Sequence, residues 1–183
     1  EFINYLLTKP TGRHVITGFL FEFEDMFPYR DNLHALRSDT VPAYSVEQVK
    51  HLVNLVTQTH RLKFVPLCQT FGHLEIALKR PQFSHLREQP NQPSALCPLN
   101  PQSLGLVFQM VQQIVQTIGK QNIEFFHIGV DEIFHLGSCE KCRIFAQEAG
   151  RRVLFARHVR KLLKRLNTEF PTIRFIGWDD MFR

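Results

Sequence analysis

Apolar residues along this chain alternate between short β-prone runs and longer stretches of helical periodicity. The β-prone runs cover about residues 16–24, 63–69, 124–129 and 173–178. Apolar residues return every three to four positions over about 45–60, 100–119 and 151–169, and a leading helix is expected at about 2–8. Repeated strand-helix units predict parallel strands joined by right-handed crossovers.

Local signals indicate where these elements begin and end. A capping box at Ser45 opens the first long helix, because hydroxyl and amide side chains can satisfy unpaired backbone amides there. Asn100 and Pro101 suit the N-cap and first position of the next helix, and Gly119 suits its end. Four prolines between residues 81 and 98 predict a loop-rich excursion.

Two α/β architectures fit this order of elements: an open doubly wound sheet and a (β/α)8 barrel. A complete barrel needs about 250 residues, whereas the chain has 183. Four strands cannot close a barrel. The barrel interpretation therefore predicts a partial barrel of about four of the eight βα units, in which residues 1–183 form one domain that is incomplete at both ends.

Composition and charge are those of an ordinary globular domain, with 44% hydrophobic residues and a net charge of +5. Much of the positive charge lies in residues 151–165, where leucine and valine recur at helical spacing. This pattern favours the solvated face of an amphipathic helix over a nucleic-acid surface. No apolar run approaches the roughly 20 residues of a membrane span, so we expect neither nucleic acid nor membrane as a partner.

Cys139 and Cys142 have the C-x-x-C spacing that supplies half of a structural zinc site. The sequence contains no second C-x-x-C and no H-x-x-x-H to complete such a site. We therefore interpret them as ordinary thiols near a helix start, and expect no metal and no cofactor.

Each predicted strand ends in polar or aromatic residues. The four groups are Glu22, Glu24 and Asp25; Gln69 to His73; Asp131 and Glu132; and Trp178, Asp179 and Asp180. The carboxyl ends of parallel strands are where barrel enzymes and switch-point sites place their chemistry. The pattern predicts one site at this edge.

The adjacent carboxylates Asp131 and Glu132 suit acid-base chemistry. Two carboxylates this close repel each other, which favours one that keeps a proton and one that is ionised. A protonated Glu132 can donate to a leaving oxygen, while Asp131 can accept a hydrogen bond from a substrate. The alternative is an exposed acidic pair that only ends a strand.

The hexapeptide from His127 to Glu132 resembles the H-x-G-x-D-E motif of family 20 glycoside hydrolases, the β-N-acetylhexosaminidases. Three further blocks, at residues 23–29, 66–73 and 178–181, resemble the same family in the same order. The similarity extends from about Phe19 to the end of the chain.

This resemblance implies a retaining exo-glycosidase on a TIM barrel. Such an enzyme removes terminal non-reducing N-acetyl-D-hexosamine, either GalNAc or GlcNAc, from β-glycosides. The nucleophile is the substrate's own acetamido oxygen rather than a second carboxylate. Glu132 matches the general acid/base, and Asp131 matches the residue that orients the acetamido group.

The resemblance also implies which residues contact the sugar. These are His73, Trp178, Asp179, Asp180, Glu24 and His127. Leu67 and Gln69 stand where many family members carry acidic residues. An Asp-His relay through His73 is therefore not expected.

The expected partner is a glycoside or glycoconjugate with a terminal β-linked N-acetylhexosamine. An open barrel exposes apolar inner faces, so self-association, for example as a homodimer, is also expected. The motif blocks are most similar to a cytoplasmic and nuclear branch of the family, which implies that location.

Two other functions compete with this one. A catalytically incomplete fragment or carbohydrate-binding module would keep Trp178 and need no proton donor. A metalloenzyme would use His127, Asp131 and His135 together with the two cysteines, although no known family metal motif is present.

Overall fold

The computed structural model describes residues 16–182. The helix expected at about residues 2–8 lies outside the described residues.

The strands within this range are β1 (Gly18–Glu22), β2 (Lys63–Leu67), β3 (Arg87–Gln89), β4 (Gln92–Leu96), β5 (Phe125–His127) and β6 (Arg174–Ile176). The α-helices are α1 (Val46–Asn54), α2 (Glu75–Leu78), α3 (Ser103–Ile118), α4 (Glu140–Ala149) and α5 (Arg151–Glu169). A π-helical turn at Leu55–Thr59 continues α1, and short 3-10 helices include Pro81–Leu86 and Asp180–Phe182.

Four strands form one parallel sheet in the order β1-β2-β5-β6, which follows the order of these strands along the chain. The register pairs Phe21 with Pro66, Leu67 with His127 and Phe126 with Phe175. The prediction of parallel strands is confirmed. All four carboxyl ends therefore lie at one edge of the sheet.

Alternation along β1 separates a packed face from an open one. The ring of Phe21 stacks on that of Phe64, with centroids 4.3 Å apart. Phe23 and Phe64 are buried in the core that α1 and α3 help to build. Leu20, on the other face of β1, is 46% exposed. The apolar helices thus cover one side of the sheet only.

The helix signals were correct at three points. The Ser45 hydroxyl accepts from the Gln48 amide (3.1 Å) and the Gln48 side chain accepts from the Ser45 amide (2.8 Å), which completes the capping box. Gly119 follows α3 with φ +86°. Helix α5 buries Leu154 and Leu162 along one side, as its pattern predicted.

Two expectations about the middle of the chain were wrong. Helix α3 begins at Ser103 rather than at Pro101, because the Asn100 side chain accepts from the Gln102 amide and forms a turn before the helix. The proline-rich excursion contains the antiparallel β3–β4 hairpin. Pro93 lies within β4, in a two-stranded sheet where a strand has a free edge.

Among the helices of residues 16–182, none is long and apolar enough to cross a membrane.

Helix α5 also carries a buried histidine that contacts the loop after β2. The His158 ring lies 4.3 Å from the Phe71 ring, centroid to centroid, and hydrogen-bonds the backbone of Thr70. Burial lowers the pKa of His158 to about 4. The neutral ring therefore belongs to the packing that positions this loop.

We expect His158 to make stability depend on pH. Its pKa is about 4 in the folded state and about 6.5 in an unfolded chain, so the unfolded state binds the proton more readily. The contribution is complete above pH 6.5 and is lost as pH falls towards 4, with a limit of about 3 kcal/mol.

Urea unfolding at several pH values between 7.5 and 4 measures this effect. The free energy of unfolding of His158→Gln should fall less steeply with pH than that of the wild type. The matched change at exposed His34, His34→Gln, should keep the wild-type slope. Equal slopes for all three proteins would contradict the assignment.

Candidate active site

The carboxyl ends of the sheet strands converge on an open cleft. Its lining consists of Leu20, Glu22, Glu24, Leu67, Gln69, His73, Glu75, Asp131, Glu132 and Trp178. Five of the residues predicted from sequence are in this lining: Glu24, His73, Asp131, Glu132 and Trp178. Three others, His127, Asp179 and Asp180, are not.

His73 contacts both members of the carboxylate pair. Its Nε2 lies 3.5 Å from Asp131 Oδ2 and 3.4 Å from Glu132 Oε2. One imidazole nitrogen thus lies close to both carboxylates. An Asp-His relay was not expected from the residues just before Gly72, whereas the structure brings His73 against two carboxylates from the loop after β5.

The two carboxylates differ in exposure. The Asp131 side chain is 20% exposed, whereas that of Glu132 is 54% exposed. Asp131 Oδ1 is buried and has no hydrogen-bond partner within residues 16–182. Asp131 is therefore the more recessed of the two carboxylates, while Glu132 can reach a group in the open cleft.

Asp131 and Glu132 differ in exposure because an unusual backbone turn carries them. Gly129, Val130 and Glu132 have φ values of +68°, +69° and +48°. Positive φ is costly for residues other than glycine, above all for β-branched valine. Such strain persists only where neighbouring structure holds it.

Three hydrogen bonds with β6 and the residues that follow it hold this turn. The Ile128 amide donates to Ile176 O (2.8 Å), and the Trp178 amide donates to Gly129 O (3.0 Å). The Glu132 amide donates to Asp180 Oδ2 (3.1 Å). Asp180, predicted as a sugar ligand, thus supports the Glu132 backbone instead of lining the cleft, and the exposed Asp179 lies beside it.

The loop after β2 supports the same turn from the other side. The Thr70 hydroxyl donates to Ile128 O at 2.7 Å. Gly72 lies so close that a Cβ there would be 2.5 Å from Asp131 O. The two loops that carry His73 and Asp131 are therefore in direct backbone contact.

His127 lies beneath the cleft and not in its lining. It is 4% exposed, and its ring lies 4.5 Å from that of Trp178, centroid to centroid. Its Nδ1 accepts from the Gly129 amide (3.1 Å), so the neutral ring carries its proton on Nε2. Burial lowers the pKa of His127, and Asp131 opposes this shift. The geometry gives His127 a supporting position under Trp178, which is 44% exposed.

Glu22 and Gln69 also line the cleft; both belong to the predicted strand-end groups, but neither was expected to contact the sugar. Burial raises the pKa of Glu22, and the charges of Glu24 and Asp131 add to the shift, whereas His73 and a hydrogen bond to Gln69 oppose it. The sequence of β1 already indicated this position for Glu22, because alternation places it on the same open face as Leu20.

The metalloenzyme alternative finds no support in this cleft. Across the part of the chain that the structure describes, the one group of three or more potential metal ligands combines Glu88, Cys97, Cys139 and Cys142. His127 and Asp131 are not part of it.

Comparison with known proteins tests the resemblance. No protein-family model matches the chain. The curated hexosaminidase D of Bos taurus is 36% identical over 168 residues, which cover 91% of this chain and 47% of that protein. The hexosaminidase D of Homo sapiens is 37% identical over 169 residues, or 91% of this chain and 34% of that protein.

The chain is similar to hexosaminidase D over nine-tenths of its length. The resemblance stated from its motif blocks is confirmed. The chain spans about half or less of the length of the hexosaminidase D proteins it matches.

Solved structures confirm the fold. The β-N-acetylhexosaminidase of Bacteroides fragilis superposes with a TM-score of 0.70 at 16% identity, covering 91% of this chain and 36% of that one. A chitobiase of Flavobacterium johnsoniae gives a TM-score of 0.65 at 16% identity, covering 88% and 27%. The chain is a partial (β/α)8 barrel, as predicted, and not an open doubly wound sheet.

We expect Gly72→Ala to disturb the site from outside it. The new methyl would press on the backbone oxygen of Asp131, which cannot move away as a flexible side chain could. Overpacking of this kind costs about 1–3 kcal/mol. Urea unfolding should show this loss, and amide NMR shifts should concentrate around residues 72 and 131.

Gly105→Ala is the matched control. Gly105 lies inside α3 with no described atom within 4 Å of the new Cβ, so alanine should stabilise the helix by about 0.5–1 kcal/mol. If Gly72→Ala were as stable as Gly105→Ala, the close contact between the two loops would be refuted.

Proposed function

We propose that the protein carrying this chain is a β-N-acetylhexosaminidase. It removes terminal non-reducing GalNAc or GlcNAc from β-glycosides by a retaining, substrate-assisted mechanism. The observation that carries the proposal is the unequal exposure of the carboxylate pair: a recessed Asp131 lies beside an exposed Glu132, and both contact His73.

In the first step, the acetamido carbonyl oxygen of the substrate attacks the anomeric carbon. The bond to the aglycone breaks, and Glu132 gives its proton to the departing glycosidic oxygen. The product of this step is a positively charged oxazolinium ring fused to the sugar. The Asp131 carboxylate accepts the hydrogen bond of the acetamido N–H and stabilises the charge that develops there.

In the second step, the ionised Glu132 takes a proton from water. The resulting hydroxide bonds to the anomeric carbon. The bond between that carbon and the oxazolinium oxygen breaks, and its electron pair returns to the acetamido oxygen. Two inversions at one carbon retain the β configuration. Glu132 is protonated again for the next turnover.

The other cleft residues bind and orient the sugar. Trp178 offers an exposed aromatic face, which suits the apolar face of a sugar ring. Glu24 and Glu22 are placed to accept hydrogen bonds from hydroxyl groups. His73 holds the carboxylate pair, and His127 supports Trp178 from below.

Location and assembly stay predictions. We propose a cytoplasmic and nuclear protein, on the basis of its similarity to hexosaminidase D, and imaging of a tagged protein tests this. A homodimer is proposed because Ile144 and Val153, which lie on helices away from the cleft, are 45% and 50% exposed. Sedimentation of the purified protein tests that proposal.

A carbohydrate-binding module is the second candidate. The exposed Trp178 and the open cleft favour it, since both suit binding without turnover. Saturable binding of N-acetylhexosamine together with no detectable hydrolysis by the purified protein would select it.

We expect Glu132→Gln to lower kcat for a chromogenic β-N-acetylhexosaminide by about 10²-fold or more, because general acid-base catalysis contributes about 10²–10⁴-fold. The matched control is Glu124→Gln. Glu124 pairs with Lys63 (2.9 Å) at the opposite end of the sheet, so kcat should be unchanged. Near-full activity of Glu132→Gln would overturn the mechanism.

The loss of activity caused by Asp131→Asn should depend on whether the substrate carries an acetamido group. We expect a large loss of kcat/KM on the acetamido substrate and a much smaller loss on the matched hexoside with a 2-hydroxyl group. Equal losses on the two substrates would show that Asp131 does not act on the acetamido group.

A further inference from the structure

A second group of reactive side chains lies outside the cleft. Glu88 belongs to β3, Cys97 follows β4, Cys139 caps the N-terminus of α4, and Cys142 lies in the first turn of that helix. One ligand atom from each of the four lies within 4.8 Å of the others. The group therefore joins the β3–β4 hairpin to the start of α4.

The three sulfur atoms have the spacing of metal ligands. Cys97 Sγ lies 3.6 Å from Cys139 Sγ and 3.5 Å from Cys142 Sγ. Tetrahedral zinc with Zn–S bonds of about 2.3 Å separates its sulfur ligands by about 3.8 Å, whereas a disulfide needs about 2.05 Å. All four cysteines of the chain are free thiols.

Glu88 provides an independent indication of a cation. It is fully buried, and its Oε1 accepts from the amides of Gly137 (2.8 Å), Ser138 (2.9 Å) and Cys139 (3.3 Å). Its Oε2 has no hydrogen-bond partner among residues 16–182, although it is buried beside the thiols. An unpaired buried carboxylate oxygen is costly, and a bound cation would satisfy it.

We propose that Glu88, Cys97, Cys139 and Cys142 bind one zinc ion in a tetrahedral site of three sulfurs and one oxygen. Soft thiolates and a borderline metal suit each other, and Zn²⁺ commonly adopts this coordination number. Binding releases the thiol protons to solvent, and no oxidant or reductant takes part.

The ion has a structural role. Four protein ligands fill the tetrahedral shell, so no position remains for water or substrate, which is the arrangement of structural zinc sites. Cys139 lies seven residues after Glu132. The ion would thus anchor the far end of the segment that begins with the carboxylate pair.

The direct test is the metal content of the protein purified without chelators. We expect about one zinc per chain by mass spectrometry of the elements. X-ray absorption at the zinc edge should show three sulfurs at about 2.3 Å and one oxygen at about 2.0–2.2 Å. Both measurements use the wild-type protein and do not depend on the folding of a variant.

Variants then assign the ligands. Cys97→Ser and Cys142→Ser should each lose most of the zinc, whereas Cys68→Ser, which alters a buried thiol outside the group, should keep it. Glu88→Gln retains an oxygen for the three amides and should bind zinc at least tenfold more weakly in a chelator competition.

Three results would overturn the proposal. The first is wild-type protein without zinc after growth in zinc-supplemented medium. The second is a Cys97–Cys142 disulfide, seen as a loss of two hydrogens in the intact mass. The third is a zinc site whose absorption spectrum or ligand variants exclude Glu88 or any of the three cysteines.

Discussion

The geometry of the cleft depends on the backbone turn that follows β5. Gly129, Val130 and Glu132 all adopt positive φ, and this turns Asp131 inward and Glu132 outward. A regular continuation of the strand would place successive side chains on opposite faces of the sheet. The turn instead allows both carboxylates to reach one imidazole.

The turn is strained, so it needs support from both sides. Hydrogen bonds from Trp178 and to Asp180 hold it on the β6 side, and Thr70 and Gly72 hold it on the β2 side. His127 and Trp178 pack beneath and beside it. Two of the residues expected to contact the sugar, Asp180 and His127, thus make contacts within the protein. A metal at Cys139 and Cys142 would hold the same segment further along the chain.

Periodicity and motif blocks were sufficient to predict the parallel strands, the capping box at Ser45 and the gathering of His73, Asp131, Glu132 and Trp178 in one cleft. They could not show that Asp180 bonds the Glu132 amide or that His127 is buried, because those contacts arise only when strands pair. The cysteine group was missed for a related reason. Cys97 and Cys139 are 42 positions apart in the sequence. The hairpin that carries Glu88 was not predicted, because the prolines of that segment indicated a loop.

Substrate assistance by the acetamido group is the central claim, and binding of a stable cyclic analogue tests it most directly. A thiazoline fused to the sugar has the shape of the oxazolinium ring but cannot be hydrolysed in the same way. Calorimetry should show that it binds at least about 10²-fold more tightly than free N-acetylhexosamine, as expected for a mimic of a reaction intermediate. Equal affinity for the two compounds would contradict the account.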